Sequence, residues 1–369
     1  MKSRVLKLFE GMSPKPDAIV IANSVDPLLD QTFFYLFDVP SGLFEGSIEI
    51  ALPDGTLHVI TSILEEESAR RAARRDPQAQ VHAPRTKEER EESVKQWTRG
   101  CQTIALNYRE LTVEMHRTLE KLLPEAHWTD GSLAIRHARL IKDAVEVERL
   151  ARAGEIGSTV ANEIPSMLRA GMTELELAAE IEYRMMKNGA SGRSFSTISA
   201  FGAHGAEPHY HPSDHRLEPG ASIVCDFGAY FERYASDITR SFHFGPTDDE
   251  MKRVHETVEK AQRAALETIR SGVPSREVHL AAQQVIDESP WKGRFTHGLG
   301  HSIGLAVHDG WGMNHLTDDA LEAGMAITVE PGIYLPGHGG VRIEDDVLVT
   351  QSGYRPLTTA RRDYLEVPA

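Results

Sequence analysis

The amino-acid sequence predicts an α+β protein of two domains, a smaller α/β domain over residues 1–130 and a larger one over residues 131–369. Three observations lead there. At 369 residues the chain is too long for one ordinary hydrophobic core and suits two. Up to about residue 130, short apolar runs alternate with helix-like segments. From residue 222 onward, after a helical stretch, strand-like segments follow one another across Gly-rich turns.

In the first domain, AIVIA at residues 18–22 reads as a strand. Residues 47–52 and 56–62 flank Pro53-Asp54-Gly55, a turn signal between alternating segments, so they form a hairpin. Residues 63–75 are helix-like and end at Asp76-Pro77; Arg70, Arg71, Arg74 and Arg75, preceded by Glu65 to Glu67, form the solvated face of that helix. A strand over 103–106 and an amphipathic helix over 112–123 follow, and no catalytic constellation occurs in this half. Residues 133–156 carry apolar side chains at helical spacing, linking the domains or opening the second. Thr173-Glu174-Leu175-Glu176 fits a capping box, starting a helix that ends near Asn188-Gly189. Beyond residue 222 come the strands, with one more helix over 248–270.

Composition narrows the function. Hydrophobic residues at 40% and charged residues at 26% are ordinary for a globular chain. A net charge of -15 repels nucleic acid and anionic membranes, which excludes both as general partners. Two distant cysteines, Cys101 and Cys225, make neither a disulfide framework nor a CxxC zinc pattern. The start of the chain lacks a basic segment followed by an apolar one, and no apolar stretch is long enough to cross a bilayer, so a cytoplasmic address is expected.

The chemistry-bearing residues lie in the second domain. Residues 222–244 read SIVCDFGAYFERYASDITRSFHF, and a hairpin folded between Phe231 and Glu232 sets Asp226 opposite Asp237. Folding again at Gly337 sets Glu330 opposite Glu344. Carboxylates so paired, among apolar neighbours such as Val224, Phe227, Val329 and Ile343, repel one another unless a cation or a shared proton lies between them. Between the hairpins runs a Gly-rich loop with His297, His301 and His308. Four carboxylates and an imidazole suit hard or borderline divalent ions, and this much negative charge suits two of them. Metal-assisted hydrolysis is the reaction class that follows. Cys225, adjacent to Asp226 on a strand, points to the opposite face and packs in the core. Tyr230, Phe231 and Tyr234, at the hairpin tip, line an entrance or an oligomer contact.

At these residues the chain resembles the pita-bread metallopeptidases, in the Xaa-Pro dipeptidase (prolidase) and aminopeptidase P branch. DFGAYFERYASDITRSF, THGLGHSIGLAVHD, VEPGIY and VRIEDD carry the resemblance, in the family's order, over roughly residues 140–369. The resemblance implies a pita-bread (creatinase/aminopeptidase-type) catalytic domain preceded by a smaller creatinase-like α/β domain. It also implies hydrolysis of the bond preceding proline in di- or oligopeptides, two divalent ions (manganese first; cobalt, zinc or iron otherwise) and a homodimer. Asp226 would chelate one metal, His301 and Glu330 the second, and Asp237 and Glu344 would bridge. Glu330 also matches the position proposed as general base. His209, in EPHYH, matches the substrate-contacting histidine, with His211 as competitor. His308 matches a histidine that binds substrate or stabilises the tetrahedral intermediate. His297 and Arg342 match supporting positions, and Tyr334 an active-site tyrosine of aminopeptidase P.

Two departures bear on specificity. Asp309 stands where prolidases commonly carry Glu, and Gly312 where some have an Arg that grips a dipeptide carboxylate. The short chain and compact first domain favour a dipeptidase; aminopeptidase P is the alternative. Methionine aminopeptidases generally lack the first domain. Creatinase and the non-enzymatic binding modules among the relatives lose ligands that are present here.

Overall fold

The computed structural model describes residues 4–369, which form two compact units, one up to Arg139 and one from Leu140 onward. The sequence reading placed the division after residue 130.

The first unit is built on a six-stranded mixed sheet. In spatial order its strands are Ala79–His82, Leu57–Ile60, Ile48–Ala51, Ala18–Ala22, Thr103–Leu106 and His127–Asp130. The expected hairpin pairs Ile48 with Ile60 and Ala51 with Leu57. Val20, Ile50, Ile60, Ile104 and Leu106 fill its core with Val94 and Leu119 from the helices. Periodicity does not disclose every helix here. Gln31–Phe37 is buried over most of its length, so it has no polar face to reveal it, and Lys87–Trp97 buries only Val94. The basic run covers the end of helix Glu66–Ala73 and the turn after it and faces solvent, with Arg70 paired to Glu66 four residues earlier.

In the second unit the order helix, helix, strands runs twice. Helices Ala144–Glu163 and Glu174–Lys187 precede strands Ile198–Phe201, Ser222–Phe227 and Ile238–Phe244; Asp249–Thr268 and Ser275–Asp287 precede Ala326–Val329, Gly332–Leu335, Gly339–Arg342 and Asp345–Val349. Each half packs its own apolar core, one around Ile181, Phe201 and Phe227, the other around Val258, Ile327 and Val347. The capping box at Thr173 and Glu176 forms as expected. Helix Ser275–Asp287 corrects the expectation of one helix after residue 222; it is entered from Pro274 without a capping side chain, so the usual start signal is missing. The expected helical stretch near 133–156 is broken at 141–143, where Asp143 caps a new helix.

The two halves meet along strand Ile238–Phe244. Arg240, buried, donates to the carbonyls of Glu344 (2.6 Å) and Ala360 (2.8 Å) and pairs with Asp345 (2.7 Å), which also accepts from Gln262. Those bonds hold the end of one hairpin against the other.

One buried pair carries a pH prediction. His243 and His255 face each other at 3.4 Å, with Tyr364 against both rings. Burial, and then His255, push His243 down to about 4, against a pull upward from Glu366 and Asp248. The fold therefore holds a neutral ring that the unfolded chain protonates below about 6.5. Stability rises with pH across that window, is lost as pH falls from about 6.5 to about 4, and is unaffected above it. In chemical denaturation the wild type should lose roughly 3 kcal/mol more than His243→Gln between about pH 7.5 and about pH 4. Equal losses would exclude His243 as the cause.

Candidate metal centre

Each half contributes one pair of acids. In the first hairpin Asp226 pairs with Thr239, not with Asp237 as expected. The turn falls on Glu232 and Arg233, at φ 45° and 71°, between the paired residues Phe231 and Tyr234. That is one residue later than the symmetric centre of the pattern, and moving a hairpin's centre by one residue moves each partner by two. Asp237 is therefore diagonal to Asp226 on the same face, because strand side chains alternate with a period of two. In the second hairpin Gly332 pairs with Arg342 and Ile333 with Val341, a register that carries Glu330 opposite Glu344 as expected. The Glu344 N–H donates to the Thr239 carbonyl at 3.1 Å, which brings the two pairs together.

His301 enters from the loop between the hairpins. Its backbone N–H donates to Thr328 Oγ1 at 3.1 Å. A Cβ on the preceding Gly300 would stand 2.1 Å from the Thr328 carbonyl oxygen, so only glycine permits this approach. The ring Nε2 lies 3.6 Å from Asp237 Oδ2 and 3.6 Å from Glu330 Oε1. Asp237, His301 and Glu344 each present a ligand atom within 4.8 Å of the others.

The charges do not balance within the protein. Burial, then Glu344, Asp226, Asp346 and Glu330, push Asp237 well above the usual carboxylate range. Burial and Glu344 raise Glu330, and burial and Asp226 raise Glu344 to about 8. Burial and then His308 hold His301 down to about 3, so its ring is neutral. With Nδ1 directed at the Ser302 carbonyl (3.3 Å), the Nε2 lone pair faces the acids. Asp226 Oδ1, Asp237 Oδ1 and Glu344 Oε1 are buried without a hydrogen-bond partner. Orphaned carboxyl oxygens around a neutral imidazole, their acids unable to ionise together without a counter-charge, are the donor set a divalent cation completes.

The remaining residues brace this set. Arg342 pairs with Asp226, donates to Tyr334 Oη (3.0 Å), and reaches Glu344 through Thr239 Oγ1 (3.1 and 2.6 Å). Burial is the largest influence raising Tyr334 to about 12, and its hydroxyl lies 2.8 Å from His297 Nε2. Burial and then Arg342 hold His297 down to about 4. His308 is exposed, edge-on to His301 with ring centroids 4.1 Å apart. His209 and His211 are both exposed, and only His209 lies close enough for its charge to act on His297 and His308, which favours it. Cys225 packs in the apolar core, where burial pushes its thiol up, and Tyr234 is buried rather than at an entrance. Asp309 forms a buried pair with Lys142 (3.1 Å).

Sequence reasoning missed Thr239 and Asp346. Thr239 faces Asp226 once the register is right. Asp346 follows Glu344 by two residues, and its Oδ2 accepts from the Asp237 N–H at 2.9 Å. Strand alternation was the available signal for it.

Residues 148–351 match the family model of metallopeptidase family M24. An uncharacterised peptidase of Staphylococcus epidermidis is 37% identical over 67% of this chain and 71% of its own length. The crystal structure of an X-Pro aminopeptidase from Thermotoga maritima superposes with a TM-score of 0.86 at 33% identity, covering 95% of this chain and 98% of that one. An Xaa-Pro dipeptidase from Bacillus anthracis superposes with a TM-score of 0.89 at 31% identity, covering 98% and 99%. Its matched residues, its fold and its cluster of buried acids around His301 agree: the chain belongs to metallopeptidase family M24 and is a metal-dependent peptidase.

Proposed function

We propose that this protein hydrolyses the peptide bond preceding proline in short peptides, acting as an Xaa-Pro dipeptidase. The observation that carries the reading is the convergence of Asp226, Asp237, His301, Glu330 and Glu344, from both hairpins and the loop between them, with three orphaned carboxylate oxygens. Similarity along nearly the whole chain to an X-Pro aminopeptidase and to an Xaa-Pro dipeptidase supports the proline-directed substrate class.

In this reading Asp226, Asp237, His301, Glu330 and Glu344 would together hold a pair of divalent ions. When bound, such a pair lowers the pKa of water and polarises the scissile carbonyl. Manganese suits these oxygen-rich donors, with cobalt, zinc or iron as alternatives. Glu330 takes the proton of the attacking water, a task helped by burial that raises its proton affinity. His209 and His308 contact the substrate from the exposed side. Arg342 orients Asp226 directly and Glu344 through Thr239, and Tyr334 fixes His297. A cytoplasmic homodimer completes the reading, on family resemblance. The absence of an N–H in an Xaa-Pro bond and the restricted ring give such a site its basis for selection.

Aminopeptidase P activity on longer peptides is the second reading, favoured by Gly312 and by Asp309, which is sequestered with Lys142. A cleavage panel on metal-reconstituted enzyme separates them. Xaa-Pro dipeptides should turn over faster than Xaa-Pro-Yaa peptides, with Met-initiated peptides and creatine untouched. Tripeptide rates equal to dipeptide rates would overturn the dipeptidase reading.

A further inference from the structure

Glu174 is a buried carboxylate outside the metal centre, and a single loop is organised around it. It opens helix Glu174–Lys187 directly after the Thr173 cap and is fully buried. An acid in a first helical turn is ordinary, and one serving only the helix dipole stays at the surface. Glu174 instead takes five hydrogen bonds from another segment. Oε1 accepts from the Phe201 N–H (2.9 Å) and from His204 Nδ1 (2.9 Å). Oε2 accepts from Tyr210 Oη (2.9 Å), the Ser213 N–H (3.0 Å) and Ser213 Oγ (2.8 Å). Burial raises its pKa, but these donors outweigh burial and the net shift is downward, so it holds them as an anion.

The four donor residues bracket Pro208-His209. His204 stacks on Tyr210 at 4.5 Å, closing the loop on itself. The Pro208 carbonyl accepts from Arg342 Nη1 at 3.4 Å, so the same loop is tied to the metal centre from its other side. His209 therefore sits in a segment pinned before and after it, close enough for its charge to act on His297 and His308.

We propose that Glu174 is a positioning residue for His209, the staple that holds loop 201–215 in the conformation presenting this imidazole to the substrate. The inference rests on reading His209 as a substrate-contacting group.

Glu174→Gln tests it, because the amide keeps the volume but puts a donor where two or three donors converge. Hydrogen exchange on the intact protein should speed up over residues 201–215 and stay unchanged over the hairpins 222–244 and 326–349. On an Xaa-Pro peptide kcat/KM should fall about 10-fold or more at unchanged metal content. On a His209→Ala background the same substitution should cost no more than about 2-fold, since the group it positions is gone. Tyr210→Phe, which deletes one donor and leaves the carboxylate, should shift exchange and kcat/KM in the same direction by less, and it serves if the amide variant does not fold. Unchanged exchange over 201–215 overturns the staple whatever peptide the enzyme cleaves. A full 10-fold loss repeated on the His209→Ala background overturns the link to His209, and a fully active His209→Ala variant overturns the reading of that histidine.

Discussion

Glu330→Gln should fold normally and lose turnover, with kcat down by about 10²–10⁴-fold. The amide is the same size as the carboxyl, so the packing of the strand end is kept. It cannot accept a proton from water at neutral pH. The fold should tolerate it, because Glu330 is half-buried and its carboxyl is raised by desolvation and by the nearby Glu344, so the neutral amide relieves repulsion in the metal-free protein. Melting in chelator should occur at the wild-type temperature or above. Metal content must be measured on the same sample, since Glu330 lies 3.6 Å from His301 Nε2 and is proposed to bind the cation as well. A folded, metal-loaded variant with near wild-type kcat would remove Glu330 from the chemistry.

Asp237→Asn should change the sign of its effect with metal. In chelator the variant should be more stable than wild type by about 1 kcal/mol or more, because a buried carboxyl crowded by Glu344, Asp226, Asp346 and Glu330 is exchanged for a neutral group. The pH dependence has a definite direction. An acid whose pKa is raised in the fold stabilises below its unfolded value and loses that contribution as pH rises. Stripped wild type should therefore weaken from about pH 4 up to about pH 8, the value to which Glu344 is raised. The advantage of Asp237→Asn should widen over the same range. With saturating manganese the order reverses. Binding to the native state alone stabilises by about 2.7 kcal/mol at a hundredfold excess over Kd, and the variant forfeits most of this with its activity. Melting curves with chelator and with manganese decide the matter; a variant less stable than wild type in both would mean that Asp237 is a structural residue.

How far the sequence discloses this protein can be followed residue by residue. The Glu330–Glu344 opposition was legible because Gly337 and Gly339 mark the turn and the strands flanking it are regular. The Asp226–Asp237 opposition was misplaced because the turn rests on Glu232 and Arg233, two non-glycine residues at positive φ that carry no turn signature. Both aspartates still share a face, since a shift of two preserves the alternation. Helix Gln31–Phe37 was hidden by uniform burial, and Ser275–Asp287 by its missing cap.

The sequence by itself determined the two-domain α+β organisation and the class of chemistry, and it nominated the five side chains proposed to hold the metals. Hydrophobic alternation, capping residues and turn residues are local signals, and ligand chemistry is written in residue type. Only the tertiary structure decided that Thr239 faces Asp226, that Arg342 braces Asp226 directly and Glu344 through Thr239, and that Glu174 gathers a loop from more than twenty-five residues away. Those relations join segments far apart in the chain, and their energy comes from hydrogen bonds to carboxylates in buried surroundings, which no local pattern encodes.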